Sequence, residues 1–222
     1  MTEAESIDQR PYHHGDLRRA LIDAALALVS EEQDWAFSLR EVARRAGVSH
    51  NAPYNHFPEK RDLLGAVAAA GFEALRDRMR AAVAGVGNPR TALLASATAY
   101  VHAGVENPAL YRLMFGPALA APLSAARQGT TKADGGRPAE ARMAGAAAKA
   151  VLDEVILRGA ESGAFAISAR SKSELASAAL SIWSAVHGLT LLVIDALTGS
   201  ELAIDTLVGR LVRTLLEGLE PR

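Results

Sequence analysis

The chain has 222 residues, half of them hydrophobic, a formal net charge of −1 and no cysteine. That much apolar sequence can fill one large domain, or a small unit joined to a larger one, and it excludes disorder throughout. The missing cysteine excludes disulfides, thiolate metal sites and a cysteine nucleophile, and the near-neutral balance means that any basic patch for nucleic acid must be local. The first 16 residues, MTEAESIDQRPYHHGD, are polar and acidic with no apolar run, so a cytoplasmic location is expected.

The helical period dominates along the whole chain, and no alternating strand pattern stands out, so the expected fold class is all-α. Leu17, Leu21, Ala24, Ala25, Leu28 and Val29 mark one face of a first helix over about 16–32. Ser38 and Glu41 form a capping box opening a second helix, and Gly47 is placed to leave it in a left-handed conformation. Ser49 can cap a third helix over about 50–57, which Pro58 ends; a longer fourth helix begins near Glu59. Asn88-Pro89 and Asn107-Pro108 each pair an N-cap with a proline at the first helical position, predicting helices over about 89–105 and 108–115. Residues 124–137, SAARQGTTKADGGR, read as a loop. Helices over about 138–162, 172–197 and 201–218 complete the chain. Residues 175–194 carry no Asp, Glu, Lys or Arg and are long enough to span a bilayer. The serines on that stretch, His187, and the capping pattern from Ser171 to Glu174 favour a helix buried in protein, with no membrane partner.

Two short helices joined by a glycine-containing turn have the helix-turn-helix shape, whose second helix enters a DNA major groove. The second helix offers His50, Asn51, Tyr54, Asn55 and His56 outward while Val48, Ala52 and Phe57 face inward. Asn can pair bidentately with adenine, and Tyr, His and Ser can donate to phosphate. Lys60 adds a cation at a helix N-terminus, a ready phosphate site. Five cations, Arg40, Arg44, Arg45, Lys60 and Arg61, against Glu41 and Glu59 make residues 38–61 net +3.

The stretches YHHGDL at 12–17, LREVARRAGVS at 39–49, APYNHFPEK at 52–60 and the leucine pair at 63 and 64 resemble the TetR family of bacterial transcriptional regulators. The resemblance covers about residues 12–75. It implies a helix-turn-helix DNA-binding domain over 1–62 and a helical ligand-binding and dimerisation domain over 63–222. Phosphate contacts are implied for Ser38, Tyr54, His56 and Lys60, and positions at or near bases for Ser49, His50, Asn51, Ala52 and Asn55; Arg40 belongs to the same surface. Asn55 stands where relatives carry arginine, which removes a cation from the groove side. Gln33-Asp34-Trp35 stands where a glycine-containing turn is usual.

The spacing of Trp183, His187 and Gly188, with NPALYRLMF at 107–115, resembles a TetR-like C-terminal subclass carrying a Trp…His-Gly signature. The family's dimers form through the last two long helices, which points to Ser181, Ala185, Gly188, Leu192, Leu207, Leu211 and Leu215. A ligand pocket is expected between the bundle helices, with candidates Tyr100, His102, Tyr111, Met114, Phe115, Trp183 and His187 and an apolar or aromatic ligand. The plainer assignment is that Trp183 fills core and His187 is a hydrogen-bonded core histidine.

The function expected is that of a homodimeric regulator, a repressor, released from double-stranded operator DNA by a small molecule, with no cofactor. Two rival functions fit the same composition. One is a dimeric small-molecule-binding protein without strong specific DNA binding, which Asn55 alone favours. The other is a helical enzyme with a histidine-based site. None of the six histidines sits in an HExxH arrangement, and no phosphate loop or nucleophile elbow occurs, so no catalytic and no metal-binding residues are expected.

Overall fold

The structure is a computed structural model that describes residues 14–119, 138–199 and 201–217. All regular structure among the described residues is helical. The helices are α1 (His14–Glu32), α2 (Leu39–Arg45), α3 (Lys60–Val83), α4 (Pro89–Glu106), α5 (Pro108–Phe115), α6 (Ala139–Glu161), α7 (Lys172–Ile194) and α8 (Ile204–Glu217). Short 3₁₀ turns occur at Ala52–Asn55 and Pro117–Leu119. The expected loop at 124–137 lies outside the described residues.

The start signals work as their chemistry requires. Asn88 Oδ1 accepts from the amides of Arg90 and Thr91 at 2.9 and 3.2 Å, Asn107 Oδ1 from that of Leu110 at 3.1 Å, and Ser171 Oγ from that of Glu174 at 3.3 Å. Each side chain satisfies amides that lack an intrahelical partner. The ends are less predictable. The apolar helix stops at Ile194, before the expected 197, because Ala196 turns left-handed at φ 55°. The last helix starts at Ile204 and not at 201.

The expected helix over 50–57 is instead the 3₁₀ turn Ala52–Asn55. Tyr54 N bonds to Asn51 O at 3.2 Å and His56 N to Pro53 O at 3.0 Å, an i to i+3 pattern. Pro53 has no amide to bond back to Ser49 O, which removes an i to i+4 bond from the start of the segment, and Pro58 follows it. Ser49 contributes its backbone carbonyl, to Ala52 N at 3.0 Å, and no side-chain cap.

The molecule is organised around α3, which packs most extensively on α6 and α4. Its buried face sets the small residues Gly65, Ala66, Ala68, Ala69 and Gly71 among larger ones such as Leu63, Phe72 and Leu75. A Cβ on Gly65 would lie 2.5 Å from Pro138 Cβ, and one on Gly71 would lie 2.7 Å from Met114 Sδ. The first half of α3 and its neighbours therefore approach more closely than any larger residue allows.

Gly104 of α4 faces a comparable constraint, with Thr190 Cγ2 at 2.4 Å and Tyr111 Cδ2 at 2.9 Å from its missing Cβ. Thr190 and Tyr111 are both buried and fixed by hydrogen bonds. Overpacking there exceeds the roughly 1 kcal/mol that alanine gains over glycine in a helix. Gly104→Ala is expected to lower stability by about 1–3 kcal/mol in urea unfolding; an unchanged or raised midpoint would mean that the α4–α5–α7 junction is loosely packed.

Candidate nucleic-acid interface and ligand cavity

The α2 helix is closed at both ends. Ser38 Oγ accepts from Glu41 N at 3.2 Å and Glu41 Oε2 accepts from Ser38 N at 2.6 Å, the predicted capping box. At the other end Gly47, at φ 69°, bonds to Arg44 O at 3.2 Å, and Val48 N bonds to Ala43 O at 3.0 Å. This paired closure fixes the angle at which the next segment leaves. Pro53 and Phe57 then anchor that segment in the core, Phe57 being 2% exposed, while Val48 and Ala52 are half-buried.

The outer side of this segment carries Ser49, His50, Asn51, Tyr54 and Asn55, all exposed, and Arg40 of α2 is exposed beside it. His56 is half-buried, and its Nε2 is buried with no hydrogen-bond partner among the described residues. The Ser38 hydroxyl is occupied by its own cap, 2.9 Å from Glu41 Oε2. The Lys60 ammonium lies over the Phe37 ring at 5.2 Å, a cation–π contact. Burial lowers the Lys60 pKa, and the nearby Asp34 and Glu41 carboxylates oppose that shift.

Two of the five cations counted toward the patch are engaged elsewhere. Arg45 is paired with Glu31 of α1, Nη1 to Oε2 at 2.7 Å, and this guanidinium holds the Glu31 carboxyl below its ordinary pKa. Arg61 donates to Leu119 O at 2.9 Å. The basic character of the surface thus rests on Arg40, Arg44 and Lys60. Upstream, Gln33 adopts φ 55°, taking the left-handed conformation that a glycine would hold more easily. Its amide bonds to Ser30 O at 2.7 Å, and Asp34 Oδ1 accepts from Ala36 N at 2.8 Å.

A cavity of about 400 Å³ lies inside the bundle, walled by α3, α4, α5, α6 and α7. Of the seven candidate ligand residues, Tyr100, Phe115, Trp183 and His187 line it. Tyr111 and Met114 lie behind that wall and face a smaller recess of about 220 Å³. His102 belongs to neither space: its Nε2 is 2.7 Å from Asp205 Oδ1 of α8. The α3 residues Phe72, Leu75 and Met79 and the α6 residues Arg142, Lys149 and Leu152 also line the cavity. They were absent from the expected set because apolar helix positions read as core wherever a cavity happens to fall, and charged ones such as Arg142 and Lys149 read as solvated surface.

Two polar contacts tie α1 to this bundle, and a third joins it to the recognition segment. Arg18 Nη2 is 2.7 Å from both carboxylate oxygens of Glu140, in the first turn of α6. The same guanidinium lies 5.3 Å from the centre of the Phe57 ring. Asn107 Nδ2, at the start of α5, donates to Ser30 Oγ at 2.6 Å.

Residues 21–67 match the sequence family described as bacterial regulatory proteins of the tetR family. Residues 93–215, more than half of the chain, match the tetracyclin repressor-like C-terminal domain. The chain belongs to the TetR family. The transcriptional regulator BetI of Rhizobium meliloti (strain 1021) is 37% identical over 73 residues, 33% of this chain and 36% of BetI. The chain thus spans about a third of the length of that curated relative. A protein of unknown function from Rhodococcus sp. RHA1 superposes at a TM-score of 0.75 with 29% identity, over 95% of this chain and 99% of the other. The regulator FadR of Bacillus subtilis, solved with stearoyl-CoA, superposes at 0.66 with 16% identity over 91% and 99%. TetR-family regulators bind operator DNA and small-molecule ligands, and they are dimers.

In this TetR-family chain, α7 is the one helix among the described residues that is long and apolar enough to cross a bilayer. Its inner face buries Ala179, Val186 and Thr190, while Leu180 and Leu192 on the opposite side are 56% and 45% exposed. Ser181 is exposed on that outer stripe, Ala185 and Gly188 are half-buried, and no other helix among the described residues comes within 4 Å of where a Gly188 Cβ would sit. On α8, Leu207 and Leu211 are half-buried and Leu215 is exposed. Val208, next to Leu207 on α8, is wholly buried within its own chain.

The cavity wall contains a closed polar network. Trp183 Nε1 donates to the Tyr100 hydroxyl at 3.2 Å, and the hydroxyls of Tyr100 and Tyr111 are 3.0 Å apart. His187 Nδ1 lies 2.5 Å from the Tyr111 hydroxyl and 3.1 Å from that of Tyr100. Burial lowers the His187 pKa, so the neutral ring offers Nδ1 as a single acceptor that takes one phenol proton, while the other phenol proton bridges the two hydroxyls. Burial pushes the Tyr100 phenol up to about 12 and raises Tyr111 as well, so both keep their protons as donors. His187 is therefore both a hydrogen-bonded core residue and part of the cavity wall.

A histidine kept neutral by the fold stabilises fully above its unfolded pKa of about 6.5. That contribution declines as pH falls through the lower folded value, because the unfolded chain takes up a proton that the folded chain resists. The Tm of the wild type minus that of His187→Gln should shrink between about pH 8 and about pH 5. A difference that stays constant would show that the imidazole titrates as it does in solvent.

Proposed function

We propose that this chain is a sequence-specific DNA-binding repressor that works in the cytoplasm as a homodimer and leaves its operator when a small molecule fills the bundle cavity. The observation that carries this reading is the exposed row Ser49, His50, Asn51, Tyr54 and Asn55, held rigidly between the Gly47 closure and the buried Pro53 and Phe57. In a major groove Asn51 and Asn55 present amides to base edges, and Tyr54 and Lys60 donate to phosphates. The functional division falls at about 62 and 63, although α3 runs through it. The half-covered stripe of α7, with Leu207, Leu211 and Leu215 of α8, is the dimer face. A second copy there would remove the exposed leucines from water and supports reading α7 as a protein-buried helix.

The link between sites follows from α6 and α5. Both contribute to the cavity wall, and both touch α1 through Glu140 and Asn107. A ligand that moves α6 pulls on Arg18, and Arg18 lies on Phe57, the anchor of the recognition segment. By linkage, operator binding weakens ligand binding by the factor by which ligand weakens operator binding.

Lys60→Ala should weaken binding to all DNA sequences and reduce the slope of log affinity against log salt by about 0.9. Asn51→Ala should change operator preference, costing about 1–3 kcal/mol at the base it reads and little elsewhere. If titrations show both variants binding as the wild type does, the recognition surface is wrongly assigned. Glu140→Gln, at an exposed pair, should leave operator and ligand affinities within a few-fold yet diminish the effect of each on the other. A coupling factor equal to that of the wild type would rule out the Glu140–Arg18 link.

A further inference from the structure

Counting protons assigns the polar groups of the cavity wall. Nδ1 of the neutral His187 ring has one lone pair and takes one phenol proton, and the other phenol proton bridges the Tyr100 and Tyr111 hydroxyls. The indole N–H of Trp183 goes to the Tyr100 oxygen. All three donors are therefore spent inside the network, whichever phenol serves His187. An imidazole that accepts at Nδ1 carries its own proton at Nε2. That N–H has no acceptor among the described residues. In contrast to His56 Nε2, it is not sealed off by its neighbours.

Around the network the wall is aromatic and aliphatic, with Phe72, Leu75, Phe115 and Leu152. Arg142 and Lys149 of α6 complete it, and neither is a free charge: Lys149 Nζ lies 2.6 Å from Asp153 Oδ1, and Arg142 is engaged as well. A ligand in this space meets apolar surface and one unspent donor. A plain hydrocarbon that displaces water from Nε2–H leaves it unpaired, which is costly. An ammonium sets a donor against a donor. A carboxylate can accept, but it brings a charge among side chains that do not compensate it. A carbonyl or ether oxygen accepts the same proton and carries no charge. The volume of about 400 Å³ lies at the small end of organic ligand sites.

We propose that the cavity takes a neutral apolar molecule with one hydrogen-bond acceptor, a ketone, ester or lactone oxygen, which receives the His187 Nε2–H while Phe72, Phe115 and Trp183 enclose its body. This rests on the ligand-binding reading above and specifies its chemical class. It puts the acceptor end on α7 and the body against α3 and α6, the helix whose first turn holds Arg18 through Glu140.

The test uses the purified, DNA-free full chain and three probes on one skeleton. Benzophenone only accepts a hydrogen bond, diphenylmethane makes none, and benzhydrylammonium only donates. Affinities come from equilibrium dialysis, and benzophenone labelled at its carbonyl carbon is followed by NMR. A bond from Nε2–H holds the bound carbonyl resonance at or downfield of its position in water, whereas an unpaired carbonyl moves upfield to its position in hydrocarbon solvent. His187→Phe should lower the preference for benzophenone over diphenylmethane about tenfold. Diphenylmethane binding should be retained, which shows that the cavity survives; if it is lost, the wild-type carbonyl resonance decides. An unchanged preference in the variant, a carbonyl resonance at the hydrocarbon position, or benzhydrylammonium binding as tightly as benzophenone overturns the acceptor class and leaves the cavity as a ligand site. No binding of any probe to the wild type overturns both.

Discussion

The close approach of α3 to the start of α6 is the constraint on which the other features depend. Gly65 leaves room for the rigid ring of Pro138 at a separation that a Cβ would forbid, and Gly71 lets the Met114 side chain of α5 pack close beside it. A seam of glycine and alanine has few rotamers to lose and transmits displacement without side-chain slack. The same α3 rod begins at Lys60, beside the recognition segment, and ends in the cavity wall at Phe72, Leu75 and Met79. Reading head and bundle are therefore parts of one packed object, and Glu140 and Arg18 add an electrostatic tie across its outer edge.

Charge is placed locally in a chain that is nearly neutral overall. The capping box at Ser38 and Glu41 consumes a hydroxyl that the family resemblance assigns to phosphate, and Glu31 takes Arg45 out of the basic patch. What is left is a modest positive surface around Arg40, Arg44 and Lys60. Such a surface suits binding in which phosphate contacts position the protein and side-chain amides discriminate sequence. The apolar residues follow a similar economy. The α7 helix is apolar on every side, but its own chain covers only the inner face, and the proposed dimer accounts for the other.

Features set by short-range chemistry were legible in the sequence. The caps at Ser38, Asn88, Asn107 and Ser171, the left-handed Gly47 and the helix-turn-helix outline all depend on neighbours within a few residues. Features set by distant partners were not. Glu31 lies outside residues 38–61, so the partner that engages Arg45 does not show in the local charge. His102 points to Asp205, a choice that only the packing of α4 on α8 determines. The Ala52–Asn55 turn is 3₁₀ where Pro53 withholds an amide from the i to i+4 ladder, against the helical periodicity. The cavity drew only part of its wall from the aromatic residues that stood out, and Arg142 and Lys149 look like ordinary solvated helix positions until the fold brings them to that wall.

The most direct measurement is selection of DNA from a random-sequence pool by the purified full chain at two salt concentrations. A dimeric, sequence-reading regulator predicts recovery of an inverted repeat with one fixed half-site spacing, retained at the higher salt. Recovery of unrelated sequences, bound weakly and lost as salt rises, would contradict it and leave the ligand-binding bundle as the working part of the protein.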